Sequence, residues 1–293
     1  MSELYMIFRR ISLISVLILS LINSITSAAE KIRVSVSIQP QASFVKEVGG
    51  DRVEVEVMVA PGQAPETFEP TPKQLARLSE TDLFFRIGLS FEDQLVEKSS
   101  QILAHTMMVD LRTGIKPRIM EEYENDHLHG HGNYDPHIWM DPNLVKTMAT
   151  TINRELKQLD PASAVYYDKN LNTFISELDR ADQHIREILA PFQARTFFIF
   201  HPVLGYFADR YGLKQTAIEF EGKEPGAKQL TELIDRAQKK NIRVIFVQPQ
   251  FSDKTAQAVA DAIGGKVVRI DPMAADYIAN LEYIAEALAE GWQ

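Results

Sequence analysis

The sequence predicts an α/β protein of two lobes, each a parallel-type sheet flanked by helices, joined by one long linking helix. Two observations carry that expectation. Strand-like and helix-like segments alternate through both halves of the chain, and between them a single apolar stripe of helical period runs without a break. The expected boundaries are a leader over 1–29, an N-terminal lobe over 30–160, the linking helix over 161–190 and a C-terminal lobe over 191–293.

In the first half, Ile32 to Ile38 and Val53 to Val59 alternate β-branched with polar residues, and Asp82 to Gly88 is a third apolar run; all three read as strands. Ala42 to Val48 and Lys73 to Ser79 suit helices, the first stopped by Gly49 and Gly50. In the second half, Thr196 to Phe200, Gln215 to Phe220, Ile242 to Val247 and Lys266 to Ile270 read as strands. Val203 to Tyr211 reads as a helix, and another helix ends at Gly264-Gly265. Strands alternating with helices imply parallel sheets with helices on their faces.

The linking segment opens at Asp160-Pro161, with proline at the start of a helix, and closes at Pro191. Leu171, Phe174, Leu178, Ala181, Ile185 and Ile188 recur at intervals of three and four, and Asp182 with Arg186 forms an i,i+4 pair on another face. A helix of about 30 residues is about 45 Å long, enough to run along both halves. The alternative is a single larger α/β domain in which this is a long surface helix.

The chain has 293 residues, 45% hydrophobic and 24% charged, which is ordinary globular composition with room for a sizeable core. Its formal net charge of -9 argues against a nucleic-acid partner, which wants a basic face, and favours the approach of cations. Arg9 and Arg10 precede an apolar run, Ile11 to Ile22, and small residues follow at Thr26-Ser27-Ala28-Ala29. These features read as a signal peptide cleaved after Ala28 or Ala29, and hence a periplasmic protein; an uncleaved anchor is the alternative. The sequence holds no cysteine, so neither disulfides nor a lipoprotein attachment are expected, and the protein is expected to be a free monomer.

Four side chains capable of holding a metal sit at ends of structural elements. Glu66 lies in Pro61-Gly-Gln-Ala-Pro-Glu-Thr-Phe-Glu-Pro70, the loop after the second strand, and His137 in Asp135-Pro-His-Ile-Trp-Met-Asp-Pro142. His201 and Asp271 directly follow strands, where ligands bind in open α/β sheets. Imidazole and carboxylate suit first-row divalent metals. Each residue also has a plain structural reading: a hydrogen-bonded histidine after a strand, an Asp-Pro turn, a surface acid. Asp141-Pro142 reads as an N-cap, Trp139 as core or pocket wall, and His105 and His184 as helix-surface residues. The stretch Glu121 to Asn133 is rich in acid, glycine and histidine; His127, His129 and His131 could hold metal weakly, or the loop is simply solvated.

Taken together these stretches resemble the metal-binding components of zinc and manganese ABC importers, the ZnuA/TroA-like or cluster A-I solute-binding proteins. The resemblance is carried by Pro61-Gly62, by Thr67-Phe68-Glu69-Pro70-Thr71-Pro72 and by Asp135-Pro136-His137-Ile138-Trp139. It continues through His201-Pro202 with Gly205-Tyr206-Phe207-Ala208, Val247-Gln248-Pro249-Gln250 and Ile270-Asp271-Pro272. It covers essentially all of the chain after the leader, in order. It implies two α/β lobes joined by a long helix, with one metal buried between them, and matches His137, His201 and Asp271 to ligands. The departure is Pro65-Glu66-Thr67, where the family usually shows Pro-His-Thr, so that Glu66 stands at the fourth ligand position. Either Glu66 binds, giving two histidines and two carboxylates, or it faces solvent and a ligand has been lost. The implied cargo is Zn2+, with Mn2+ or Fe2+ as alternatives, and the implied partner is the permease of an ABC transporter. A zinc hydrolase is the rival of another class; against it, the sequence has neither a His-Glu-x-x-His motif nor a Gly-x-Ser-x-Gly elbow. An adhesin role has no surface-display signal to support it.

Overall fold

Two four-stranded parallel sheets with the same strand order, separated in sequence by a 26-residue helix, make up the computed structural model of this protein. The structure describes residues 30–99, 103–120, 134–219, 225–251 and 253–293. The expected leader over 1–29 and the loop bearing His127, His129 and His131 lie outside the described residues.

The first sheet is ordered β2-β1-β3-β4, from β1 (Ile32–Val36), β2 (Val53–Val57), β3 (Leu83–Arg86) and β4 (Met107–Asp110). The second repeats the pattern as β6-β5-β7-β8, from β5 (Thr196–Ile199), β6 (Lys214–Ala217), β7 (Val244–Val247) and β8 (Lys266–Arg269). Parallel strands need crossovers, and helices supply them. In the first half these are α1 (Gln39–Gly49), α2 (Pro72–Leu78) and α3 (Ser90–Ser99). In the second they are α6 (Gly205–Tyr211), α7 (Ala227–Lys239) and α8 (Asp253–Ala262). The seven strands expected from the sequence are all present and shorter by one to three residues, because the ladder ends before the apolar run does. The fourth strand of the first sheet, β4, sits at an edge with Met107 exposed. His105 lies in the turn before it, and so is not the helix-surface residue expected.

Between the halves, α4 (Pro142–Leu159) is capped by Asp141, whose carboxylate accepts from the Asn143 amide at 2.7 Å. A single 3-10 turn, Pro161–Ser163, leads into the linking helix α5 (Ala164–Leu189), about 39 Å long by its rise per residue. Its buried face is Tyr167, Leu171, Phe174, Leu178, Ala181, Ile185 and Leu189: the expected stripe begins one turn earlier and closes on Leu189, while Ile188 is only partly buried. That face packs on α1 and α4 from the first half and on α9 (Tyr277–Gly291), the last helix. Phe44 of α1 meets both Phe174 and the edge of Tyr277, with ring centroids 6.0 and 4.8 Å apart. One hydrophobic cluster therefore runs from the first sheet through α5 to one face of the second. The other face of the second sheet carries its own smaller core, and the period of two along β5 shows the division: Phe197 and Ile199 join the large cluster, Phe198 and Phe200 the small one. No helix among the described residues is long and apolar enough to cross a membrane.

Candidate metal centre

Strand order fixes where a site can form. In each sheet the chain reverses its direction of build beside the first strand, between β1 and β3 and again between β5 and β7, and the crevice beyond those strand ends is the usual ligand position. In the first sheet that crevice is filled from within. The Glu92 carboxylate accepts from the Ser37 hydroxyl at 2.5 Å and from the amides of Ile87, Gly88 and Leu89. Burial pushes it up to about 7 against those donors. In the second sheet the same position holds His201, and it is not plugged.

His201 follows β5, and its setting is built from neighbouring strands. Gln248, at the end of β7, donates from its side-chain nitrogen to the His201 carbonyl at 2.7 Å and accepts from the His201 amide at 3.2 Å. Gln215 treats the next turn alike, accepting from the Leu204 amide at 3.1 Å and donating to the Pro202 carbonyl at 3.2 Å. These buried amides satisfy backbone groups that leave the ladder, which would otherwise cost about 1–3 kcal/mol each. The β5/β6 register pairs Ile199 with Ala217, so two residues further His201 meets Glu219. There Nδ1 of His201 and Oε1 of Glu219 are 2.5 Å apart. Phe251 stacks on the imidazole at 5.3 Å.

His137 is held locally. Oδ1 of Asp135 accepts from the His137 amide at 2.9 Å and lies 2.7 Å from its Nδ1. The following turn, Ile138–Met140, buries Trp139, whose indole N–H donates to the Pro272 carbonyl at 3.0 Å while the Tyr277 hydroxyl donates to the Trp139 carbonyl at 2.6 Å. Glu66 rides on the turn Pro65–Thr67, anchored where Phe68 packs edge-on against Phe91 at 4.9 Å. Behind it Thr71 and Gln74 form a capping box, and Gln74 ties α2 back to the Met58 carbonyl at 2.8 Å.

Three of the four expected side chains converge. Nε2 of His137 and Nε2 of His201 are 3.2 Å apart, and Oε1 of Glu66 lies 3.3 Å from the second and 3.9 Å from the first. Among the described residues these are the His, Asp and Glu side chains grouped closely enough to share an ion. A tetrahedral zinc with bonds of about 2.0 Å has ligand edges of about 3.3 Å, so the triangle has the size of one coordination face. The histidines are nearly fully buried while the Glu66 side chain is 34% exposed, giving the site an open side. It borders a cavity of about 20 Å3, room for one ion or water, walled by Trp139, Phe251, Gln248 and Met273.

Asp271 stands outside the triangle. Its carboxylate accepts from the Met273 amide at 3.0 Å and its carbonyl from the Asn280 side chain at 2.8 Å, although its neighbours Pro272 and Met273 line the cavity. His184, on α5, pairs with Glu282 at the surface. Glu219 is the residue that sequence reasoning missed.

The electrostatics follow from the partners. Each imidazole turns Nδ1 to a buried carboxylate, so both Nε2 lone pairs face each other with no donor between them unless a proton or a cation is supplied. Burial opposes protonation of His201, but Glu219 and Glu66 outweigh it and push it up to about 9. Burial likewise opposes protonation of His137, and Asp135 and Glu66 raise it. Burial would raise Glu66, but the two histidines hold it well below the usual carboxylate range. Three carboxylates, Glu66, Asp135 and Glu219, face the two imidazoles, with the Arg118 guanidinium beside Asp135, a setting that favours a cation.

The model of the family described as zinc-uptake complex component A, periplasmic (ZnuA), matches residues 34–291. The high-affinity zinc uptake system protein ZnuA of Bacillus subtilis (strain 168) is 30% identical over 254 residues, covering 83% of this chain and 79% of the relative. Among solved structures, a crystal structure of ZnuA superposes with a TM-score of 0.84 at 42% identity over 89% of this chain and 99% of the other. A ZnuA deletion mutant with zinc bound superposes at 0.82, again at 42% identity, over 89% of this chain and 98% of the other. Matched along nearly its whole described length in sequence and in fold, the chain belongs to the ZnuA family of metal-binding ABC-transporter solute-binding proteins.

Proposed function

We propose that this protein captures Zn2+ between its two sheets and delivers it to the permease of an ABC importer, as a periplasmic monomer that performs no catalysis of its own. The observation that carries this reading is the convergence of His137 Nε2, His201 Nε2 and Glu66 Oε1 while both Nδ1 atoms are tied to buried carboxylates. Histidines that hold a metal characteristically donate their other N–H in this way, which fixes the tautomer and raises ligand basicity. The zinc-uptake relatives support zinc over manganese or iron(II), as does the Irving–Williams order for mixed N/O sites. In this reading Glu66 is a ligand in its own right, standing where the family has histidine.

The fourth coordination position is assigned to Asp271, on the loop that carries Pro272 and Met273 past the cavity. A shell closed by four protein ligands suits capture, because it leaves no open position for a reacting water. Mobile delivery further requires export, which the leader over 1–29 would direct.

Calorimetric titration of the metal-stripped protein with Zn2+ and Mn2+ tests the proposal. One saturable zinc site per chain is expected, with H201A and E66A weakening it beyond the roughly 10–100-fold cost of losing a mere outer-shell partner. D271N should weaken it comparably if Asp271 completes the shell, whereas unchanged affinity would give the fourth place to water. Absence of saturable zinc binding, or binding indifferent to H201A, would remove the proposed function. Tighter binding of Mn2+ than of Zn2+ would reassign the cargo.

A further inference from the structure

Arg118 sits at the meeting point of both halves of the metal centre without touching either histidine. The short arms Arg118–Ile119 and Tyr134–Asp135 run antiparallel, joined by the Ile119–Tyr134 bridge and by the Asp135 amide donating to the Arg118 carbonyl at 2.9 Å. On the described side of this stem lies α6, the helix that begins four residues after His201. The Arg118 amide donates to the Tyr206 hydroxyl at 2.9 Å. Its guanidinium spans two carboxylates: Nη1 donates to Oδ2 of Asp135 at 3.2 Å, and Nε to Oδ2 of Asp209 at 2.8 Å.

The division of labour on Asp135 gives this arrangement its meaning. Oδ1 holds the amide and Nδ1 of His137, while Oδ2 is left for Arg118, so the plane of the carboxylate is fixed from both ends. The Asp135 side chain is wholly buried and that of Arg118 only 10% exposed. Gly205, the first residue of α6, makes room for the pair: a Cβ there would run into Asp135 Oδ2 and the Arg118 guanidinium. A planar fork can reach two carboxylates at fixed angles, which a lysine ammonium cannot. The two arms are unequal. Asp209 is 60% exposed, and its ion pair is screened by water, whereas loss of Arg118 would strip Oδ2 of a buried carboxylate of its cationic donor.

We propose that Arg118 is a positioning residue of the metal centre: it sets the His137 imidazole through Asp135 and, through Asp209 and Tyr206, ties that imidazole to the helix that follows His201. The inference rests on the metal-capture reading above.

The test uses the full chain with Zn2+ alone as probe, and compares wild type with R118Q, R118K and D209N. R118Q should raise the zinc dissociation constant about 10–100-fold, the usual cost of losing an outer-shell partner. D209N should have a smaller effect, and R118Q combined with D209N should be no worse than R118Q alone, because the two act through one fork. In the metal-free protein the ring nitrogen NMR signals of His137 should shift in R118Q while those of His201 stay as in the wild type, a selectivity that general destabilisation would not produce. If R118Q fails to fold, R118K decides, with the same shift of the His137 signals and a zinc affinity below that of the wild type. Wild-type zinc binding together with unchanged affinity and unchanged His137 signals in the folded Arg118 variant would overturn the role of Arg118 alone. Failure of the wild type to bind zinc would bring down the metal-capture reading, and this inference with it.

Discussion

At the scale of single residues, the metal centre is a problem in proton placement. Two imidazoles cannot present lone pairs to each other at 3.2 Å without something positive between them. In the metal-free protein a proton serves, and His201 titrates at about 9 because Glu219 and Glu66 overcome the cost of burying its charge. The sign follows from linkage: a histidine raised above its ordinary value of about 6.5 stabilises the metal-free fold fully below that value and ceases to do so as pH rises through about 9. Zinc must expel that proton. Apparent zinc affinity should therefore rise with pH toward about 9, and binding near pH 7 should release at least about one proton. Calorimetry in buffers of different ionisation enthalpy measures the release directly. A pH-independent affinity would show that His201 is already neutral when the metal arrives. Of these residues, His137 was legible in the sequence through its Asp-Pro-His-Ile-Trp stretch, whereas the contact of its Nδ1 with Asp135 emerges only in the structure. Glu219 was not: it meets His201 through the register of two parallel strands, and only after β5 and β6 are paired does an acid 18 positions away become a neighbour.

At the scale of elements, periodicity located most of the structure and said less about its ends. The apolar stripe of α5 is regular enough to read directly, and Asp141 announced α4 through its Asp-Pro cap. Four-residue β4, half-exposed at an edge, has no alternation long enough to read. In α7 the residues Leu230, Leu233, Ile234 and Ala237 recur at helical spacing, a legible stripe of which Leu233 and Ala237 are fully buried and the other two partly. The sequence could not tell that the Trp139 indole would reach across to the loop after β8. That bond to the Pro272 carbonyl joins the His137 turn to the segment carrying Asp271. W139F removes the donor together with part of a buried bicyclic ring; through lost bond and cavity it should cost about 2–4 kcal/mol in denaturant unfolding of the metal-free protein. Unfolding midpoints equal to wild type would mean that water replaces the bond without loss. The 3-10 turns at Glu66 and after His137 are likewise short, proline-bounded and pinned by side chains, so their geometry is set by tertiary contacts that no local propensity encodes.

At the scale of the whole molecule, two sheets of identical strand order are held on one continuous hydrophobic cluster by α5 and α9. A long helix packed on both halves resists wide opening, since any large rotation would break the contacts of Phe174 and Leu178, both essentially inaccessible to water. Capture is then expected to involve small displacements of the loops bearing Glu66, His137 and Asp271 rather than a broad hinge. The division of the chain into a lobe over 30–160, a linking helix and a lobe over 191–293 remains a proposal about folding units; the two sheets and the helix between them are its structural basis. The crevice of the first sheet is closed by Glu92, and that of the second opens on His201, so one of two similar halves contributes from its strand ends and the other from its connecting loops. On the proposed reading, a single cation would sit where the halves meet. The most direct measurement is a crystal structure of the zinc-loaded protein with anomalous scattering recorded at the zinc edge. One strong peak is expected about 2.0–2.2 Å from Nε2 of His137, Nε2 of His201 and a carboxylate oxygen of Glu66. A peak elsewhere, or a peak from which Glu66 stands apart, would contradict the centre described for this chain.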